Sequence, residues 1–147
     1  MRIVIQRVSR GSVSVVGEVV GKISQGLVVL VGVEKGDSEK DVDYLTSKVS
    51  GMRIFANGEG KMDLSVNDIG GGILAVSQFT LLANTRKGRR PSFEASEDPK
   101  RAEELFDLFV AKLRDDDLTV ETGRFGADMR VEIIGDGPLT IVIDSRE

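Results

Sequence analysis

The stretch "GLVVLVGVE", residues 26–34, decides how the rest of the chain is read. Leu27, Val28, Val29, Leu30 and Val31 follow one another without a polar break. A strand with one wet face would alternate apolar and polar residues. A continuous, largely β-branched run predicts a strand covered on both faces, and therefore a central one. Its neighbours should lie on either side in sequence. Upstream, "RIVIQRVSR" alternates Ile3 and Ile5 with polar residues and reads as a strand. "SVSVVGEVVGKI" reads as two strands joined at Gly17, a hairpin.

Downstream, "KGDSEKDVDYLTSKVSGM" changes period. Ser38 with Asp41 three residues on is a variant of the capping box. Val42, Leu45 and Val49 recur at helical spacing, and Gly51 is a natural stop. "NGEGKMDLSVNDIGGG" is turn-rich and reads as a loop with a short strand. "ILAVSQFTL" reads as a strand. "EDPKRAEELFDLFVAKLRDDD" is the clearest helix: Asp98 caps it and Pro99 takes the first helical position. Ala102, Phe106, Phe109 and Leu113 form its apolar stripe. Three strand-like pieces, "LTVETG", "MRVEIIG" and "LTIVID", follow. This order predicts an α+β fold. One domain, residues 1–147, holds a mixed, largely antiparallel sheet or barrel with two main helices packed outside.

Composition narrows the chemistry. The chain has no Cys and no His, so disulfides, thiol nucleophiles, Cys/His zinc sites and a Ser-His-Asp triad are excluded. Any hydrolysis must use carboxylates, Lys, backbone amides or the substrate itself. The acidic cluster Asp115, Asp116 and Asp117 stands where a helix pattern stops and reads as a solvated helix end; no metal and no cofactor is expected. The N-terminus lacks the apolar core of a signal peptide, and no run is long enough to span a bilayer. The expected location is the cytoplasm, with no membrane partner. Net charge is −4, so nucleic-acid binding would need a local patch.

Four stretches stand out. "SQFT" ends an apolar strand in Ser77, Gln78, Phe79 and Thr80. Its polar groups read either as turn caps or as a site lip, where freed N–H groups and hydroxyls hold a developing oxyanion. "NTRKGRRPSF" gathers Arg86, Lys87, Arg89 and Arg90 around Gly88. This is either a solvated basic turn or a phosphate-binding loop. "GDGPLT" sets Gly137-Pro138 just before a strand, a plain turn or, if cis, a rigid surface of carbonyl acceptors. "TGRFGADM" offers Phe125 as a core residue or a wall for a flat ring.

Together with "MRIVIQRVSR", "VGVEKGD" and "GMRIF", these stretches resemble the D-aminoacyl-tRNA deacylases, also called D-tyrosyl-tRNA deacylases, along nearly the whole chain. The resemblance implies a homodimer that hydrolyses the ester joining a D-amino acid to tRNA, and possible action on glycyl-tRNA, since glycine has no side chain to reject. It implies a barrel-like fold with helices outside, a tRNA partner and no DNA partner. It assigns Ser77, Gln78, Phe79 and Thr80 to the catalytic pocket. It implies that Gly137-Pro138 is cis and reaches into the partner subunit's pocket, fixed by Arg7, and that Phe125 and Met129 help hold the terminal adenosine. The chain departs from the family pattern at Gly135, where a polar residue, often Asn, usually stands.

The chemistry closes without His or Cys. An aminoacyl ester is activated, and the neighbouring ribose hydroxyl is a proton relay carried by the substrate. Thr80 could be nucleophile or positioner; with no evident adjacent base, positioning is favoured. The basic loop would then meet the acceptor stem of the tRNA. The rival readings are a non-enzymatic RNA-binding module, a small interaction domain, and an editing hydrolase for another mischarged tRNA.

Overall fold

A run of apolar residues that meets water on neither face needs a cover on each side. The computed structural model, which describes residues 1–147, supplies both covers. In chain order the elements are β1 (Arg2–Val15), β2 (Glu18–Ile23), β3 (Gly26–Gly32), α1 (Glu39–Gly51), β4 (Phe55–Ala56), β5 (Met62–Leu64) and β6 (Gly72–Ser77). A 3-10 turn (Phe79–Leu82), α2 (Pro99–Asp115), β7 (Thr119–Thr122) and β8 (Arg130–Asp144) complete the chain. Strand β3 lies between β1, its antiparallel neighbour, and β6, its parallel one. Its odd residues Leu27, Val29 and Val31 join the larger core beneath the helices. Val28 points the other way, into a smaller core with Val8, Val13, Ile23, Leu74 and Val76.

The sheet is mixed. β2, β3 and β8 pair antiparallel with β1, whereas β7 continues parallel from β6. It also curls. Gly21 of β2 lies so close to β7 that a Cβ there would overlap the carbonyl oxygen of Thr122. The two ends of the strand path thus approach one another, giving a nearly closed barrel with both helices outside. The α+β architecture expected from the element order is the one observed.

Both helices form for the reasons legible in their ends. The Ser38 N–H donates to Asp41 Oδ2 at 2.8 Å, closing the capping box of α1. Asp98 accepts from the Lys100 N–H at 3.2 Å, and Pro99 opens α2. Helix α2 buries Leu105, Phe106, Phe109, Val110 and Leu113. Burying a side chain such as Phe109 contributes about 1.5–3 kcal/mol. The Asp115–Asp117 cluster ends this helix, with Asp117 in the left-handed region at φ 61°.

Strand boundaries depart from the expected ones in three places. β1 is one strand of 14 residues rather than separate pieces. "ILAVSQFTL" is a strand only to Ser77, after which the chain turns into the 3-10 segment. "MRVEIIG" and "LTIVID" are two ends of one 15-residue strand, β8. The last difference has a physical cause. In the β1–β8 ladder Gln6 pairs with Thr140 and Val8 with Gly135, so Arg7 alone stands opposite residues 136–139. Those residues bulge out while pairing resumes on both sides, and the Gly and Pro that read as a break sit inside a continuous strand.

The chain ends are tied into the same body. The α-ammonium of Met1 and the carboxylate of Asp37 are both fully buried and 2.7 Å apart. Ser145 Oγ accepts from that ammonium at 2.9 Å and donates to Asp41 at 2.7 Å. No helix is long and apolar enough to cross a membrane.

Candidate active site

Ser77 is the last residue of β6 to pair with β3, opposite Val31. The Gln78 N–H then donates to the Val31 carbonyl at 2.8 Å, and the chain leaves the ladder. The 3-10 turn that follows carries Phe79 outward, 57% exposed, and Leu82 inward to the core. Phe79 and Thr80 open that turn, so their N–H groups find no acceptor within it. Gln78 Nε2 donates to Thr80 Oγ1. That amide is the only side chain bonded to the Thr80 hydroxyl, and an amide is no base.

Phe79 meets Phe93 edge to face, with centroids 5.1 Å apart at 73°. Across from them stands Phe125, itself tilted against Phe106 at 6.2 Å. Between these aromatic walls lies a cavity of about 630 Å³, which Lys35, Ser96, Glu97, Ala102 and Gly126 help to line. A narrower recess of about 70 Å³ continues inward past Ser77, Gln78 and Phe79 to Val31 and Val33. The structure therefore brings together Ser77, Gln78, Phe79 and Phe125. Thr80 stands beside the recess on the same turn without lining it.

Met129 is elsewhere within this chain. Its sulfur covers Gly123, where a Cβ would collide with it, and its side chain packs on the smaller core. Phe125 and Met129, grouped as adenosine contacts in the sequence reading, thus face different surroundings.

The four cations project from a hairpin that grows out of the cavity rim. Asn84 and Ser92 exchange backbone hydrogen bonds at 2.8 and 2.9 Å, and Asn84 Oδ1 accepts from the Arg86 N–H at 3.0 Å. Gly88 makes the turn at φ 68°. Arg86, Lys87, Arg89 and Arg90 are exposed and form no ion pair with a carboxylate of this chain.

Arg7 and Gly137-Pro138 form a second centre. The Gly137-Pro138 bond is cis. Arg7 Nε donates to the Asp136 carbonyl at 3.1 Å, and Nη1 donates to the Ile54 carbonyl at 2.7 Å. Arg7 Nη2 lies 2.9 Å from where a Cβ on Gly137 would stand, and Gly137 has φ +125°. The backbone there can be neither crowded nor easily adopted by another residue. Gly137 and Pro138 are exposed, and neither lines the aromatic cavity of their own chain.

Sequence reasoning missed Phe93, Ser96 and Lys35 as parts of the site. Phe93 closes the same run as the four cations, and its distance from Phe79 across a hairpin-like stretch was the available signal. Ala102 was visible only as part of a helix stripe.

The family model of the D-Tyr-tRNA(Tyr) deacylase matches residues 4–144. A D-aminoacyl-tRNA deacylase of Aquifex aeolicus is 57% identical over 147 residues, covering 100% of this chain and 99% of that protein. One of Koribacter versatilis is 53% identical over the same length and shares. Among solved structures, one described as the c-Myc DNA Unwinding Element Binding Protein superposes with a TM-score of 0.92 at 38% identity, covering 98% of each chain. A probable eukaryotic D-amino acid tRNA deacylase, at 18% identity, TM-score 0.79 and 97% of each chain, shares the fold.

Proposed function

From the premise that this chain belongs to the D-Tyr-tRNA(Tyr) deacylase family, we propose that it hydrolyses the ester bond of D-aminoacyl-tRNA, releasing the D-amino acid and free tRNA. It is a hydrolase, and its substrate brings tRNA to the protein. The observation that carries the mechanism is the pairing of an aromatic cavity with the turn that opens at Phe79 and Thr80.

In this reading the terminal adenine enters between Phe125 and the Phe79–Phe93 pair. That places the ester carbonyl by the N–H groups of Phe79 and Thr80. Water attacks the carbonyl carbon, and the oxyanion is held by those N–H groups. The adjacent ribose hydroxyl takes the proton from water and passes its own to the leaving ester oxygen. The C–O bond to the ribose breaks, and atoms and charge balance without a protein base. Losing one oxyanion donor costs ~10²–10³ in rate in other enzymes. Thr80 positions rather than attacks, because its hydroxyl has only Gln78 beside it.

Chiral selection falls to the 136–139 bulge of a second copy. Carbonyl oxygens at Gly137-Pro138 receive the substrate α-ammonium and leave no room for an L side chain. Main-chain oxygens ignore side-chain identity, so many D residues pass, and so does glycine. What supports this is that the bulge is exposed, lies off its own chain's cavity, and is fixed by Arg7. A homodimer follows from that reading. The cations at Arg86, Lys87, Arg89 and Arg90 meet acceptor-stem phosphates, and the reaction takes place in the cytoplasm.

The deciding experiment is single-turnover cleavage of D-Tyr-tRNA and L-Tyr-tRNA side by side, with the oligomeric state measured at the same concentration. At least a 100-fold preference for the D form by a dimer is expected. Equal cleavage of both, or full competence as a monomer, would overturn the cross-subunit account. Binding without cleavage would leave an RNA-binding module. The name carried by the 38% identical neighbour makes a DNA unwinding element the proper competitor in that binding assay.

A further inference from the structure

The Phe79–Leu82 turn has four tethers, and one of them is charged. Three are ordinary: the Gln78 N–H on Val31, Ser96 Oγ donating to the Phe79 carbonyl at 3.3 Å, and the buried side chain of Leu82. The fourth reaches across from the start of β1. Arg2 Nη1 donates to the Leu81 carbonyl at 2.9 Å. The rest of the guanidinium is held by one carboxylate, with Nε and Nη2 donating to Asp144 Oδ2 at 3.1 and 2.9 Å. We propose that Arg2 is a positioning residue for the deacylation reaction, fixing the turn that carries Phe79 and Thr80 through the carbonyl oxygen of Leu81. This rests on the deacylase reading above.

Short 3-10 segments have poor internal hydrogen-bond geometry, so external tethers set where they sit. The Leu81 carbonyl belongs to the closing end of the turn, where carbonyls lack a partner inside it. A forked guanidinium can hold that oxygen and a carboxylate at once, each in a fixed direction; an ammonium on a flexible stem cannot hold both as rigidly. Asp144 is suited to clamp it, since its side chain is only 7% exposed. Burial alone would raise its pKa. The Arg146 N–H and the Arg2 guanidinium outweigh that and keep the carboxyl below its ordinary range, hence charged. The pair sits at the rung where Arg2 faces Asp144 in one ladder and Gly32 in the other, so backbone pairing already holds β1 in place. The guanidinium is left free to serve the turn.

The test compares Arg2→Met, Arg2→Lys and Asp144→Ala with wild type in single-turnover cleavage of D-Tyr-tRNA, each at a temperature where it is folded. Arg2→Met should lower the rate constant by about 10- to 100-fold while substrate affinity changes less than about twofold, because a small misplacement costs rate before binding. Arg2→Lys should recover part of that loss. Asp144→Ala, which disturbs the same rung but keeps the bond to Leu81, should lose less than Arg2→Met at equal folded fraction. Amide exchange at Leu81 and Ala83 should accelerate in Arg2→Met, with the β1–β3 amides unchanged. In a Thr80→Ala background, Arg2→Met should cost less than it does alone. Unchanged rate or exchange, a loss that merely tracks stability in both variants, or fully multiplicative losses with Thr80→Ala would overturn the proposal. Failure of the wild-type chain to cleave would instead overturn the deacylase reading, and this inference with it.

Discussion

The Phe79–Leu82 turn ends one ladder and the 136–139 bulge interrupts another, and the two are held in different ways. The turn is tethered from β3, from Ser96, from Arg2 and from the core beneath Leu82. The bulge is exposed at Asp136, Gly137 and Pro138, rests on the core only through Leu139, and is otherwise held by Arg7, which binds the Asp136 carbonyl and the Ile54 carbonyl together. One is complete within its own chain. The other presents backbone to the outside and has nothing of its own chain to act on. In the proposed reading, catalysis belongs to the turn and selection to the bulge, so substitutions in the two places should fail differently.

The harshest break is Gly137→Ala. Its φ of +125° and the 2.9 Å approach to Arg7 leave no place for a methyl group. Deacylation of D-Tyr-tRNA should fall at least about 100-fold, against a cost to stability of only about 1–3 kcal/mol. A retained D-over-L ratio in that variant, measured by single turnover, would remove the bulge from selection. Thr80→Ala probes the other region and should cost no more than about tenfold, the size of one lost neutral hydrogen bond. Complete loss with an intact fold would make Thr80 the nucleophile.

Neutralising Arg86, Lys87, Arg89 and Arg90 together should spare the saturated rate. It should flatten the slope of log affinity against log salt by up to about 3. A slope that does not move would take the loop out of tRNA binding. Acid pH should loosen the tethered side. Asp41 and Asp144 both have folded pKa values below the ordinary 3.8, so burial is outweighed by Ser145 and Ser38 at the first and by Arg146 and Arg2 at the second. Their stabilisation is complete above that value and is lost as pH falls below it. Denaturant unfolding should be flat from neutral pH down to about 5 and weaken below about 4. Asp144→Asn should blunt that fall.

The smallest effect belongs to a place outside both regions. Val16 is 98% exposed and left-handed at φ 49°, beside Gly17 at φ 77°. Asn suits that hairpin position better, so Val16→Asn should stabilise by about 0.5–1 kcal/mol with activity unchanged.

What could be read from residues alone follows from how local each feature is. The unbroken apolar run at β3 and the caps at Ser38 and Asp98 declare themselves within a few residues, and each was found where expected. The stretch from Met129 to Asp144 was misdivided because Gly135, Gly137 and Pro138 look like a strand end. Only the register against β1 shows the ladder closing again behind them. Ser77, Gln78, Phe79 and Phe125 were picked out by type and do meet. Phe93 was passed over because its partner, Phe79, lies across a hairpin whose two ends join at Asn84 and Ser92. The burial of the Met1 α-ammonium on Asp37 and the reach of Arg2 to Leu81 were invisible, since both depend on the meeting of segments dozens of residues apart.

Strand β8 pairs only with β1, so one long side of its 15 residues has no ladder partner in its own chain. Val142 stands 62% exposed on that strand and Ile134 40%. Such an edge is a template for any extended segment that drifts past it. Left open, that edge should therefore yield turbidity and amyloid-dye fluorescence on standing. Shelf life becomes an indirect gauge of how well that edge is kept covered.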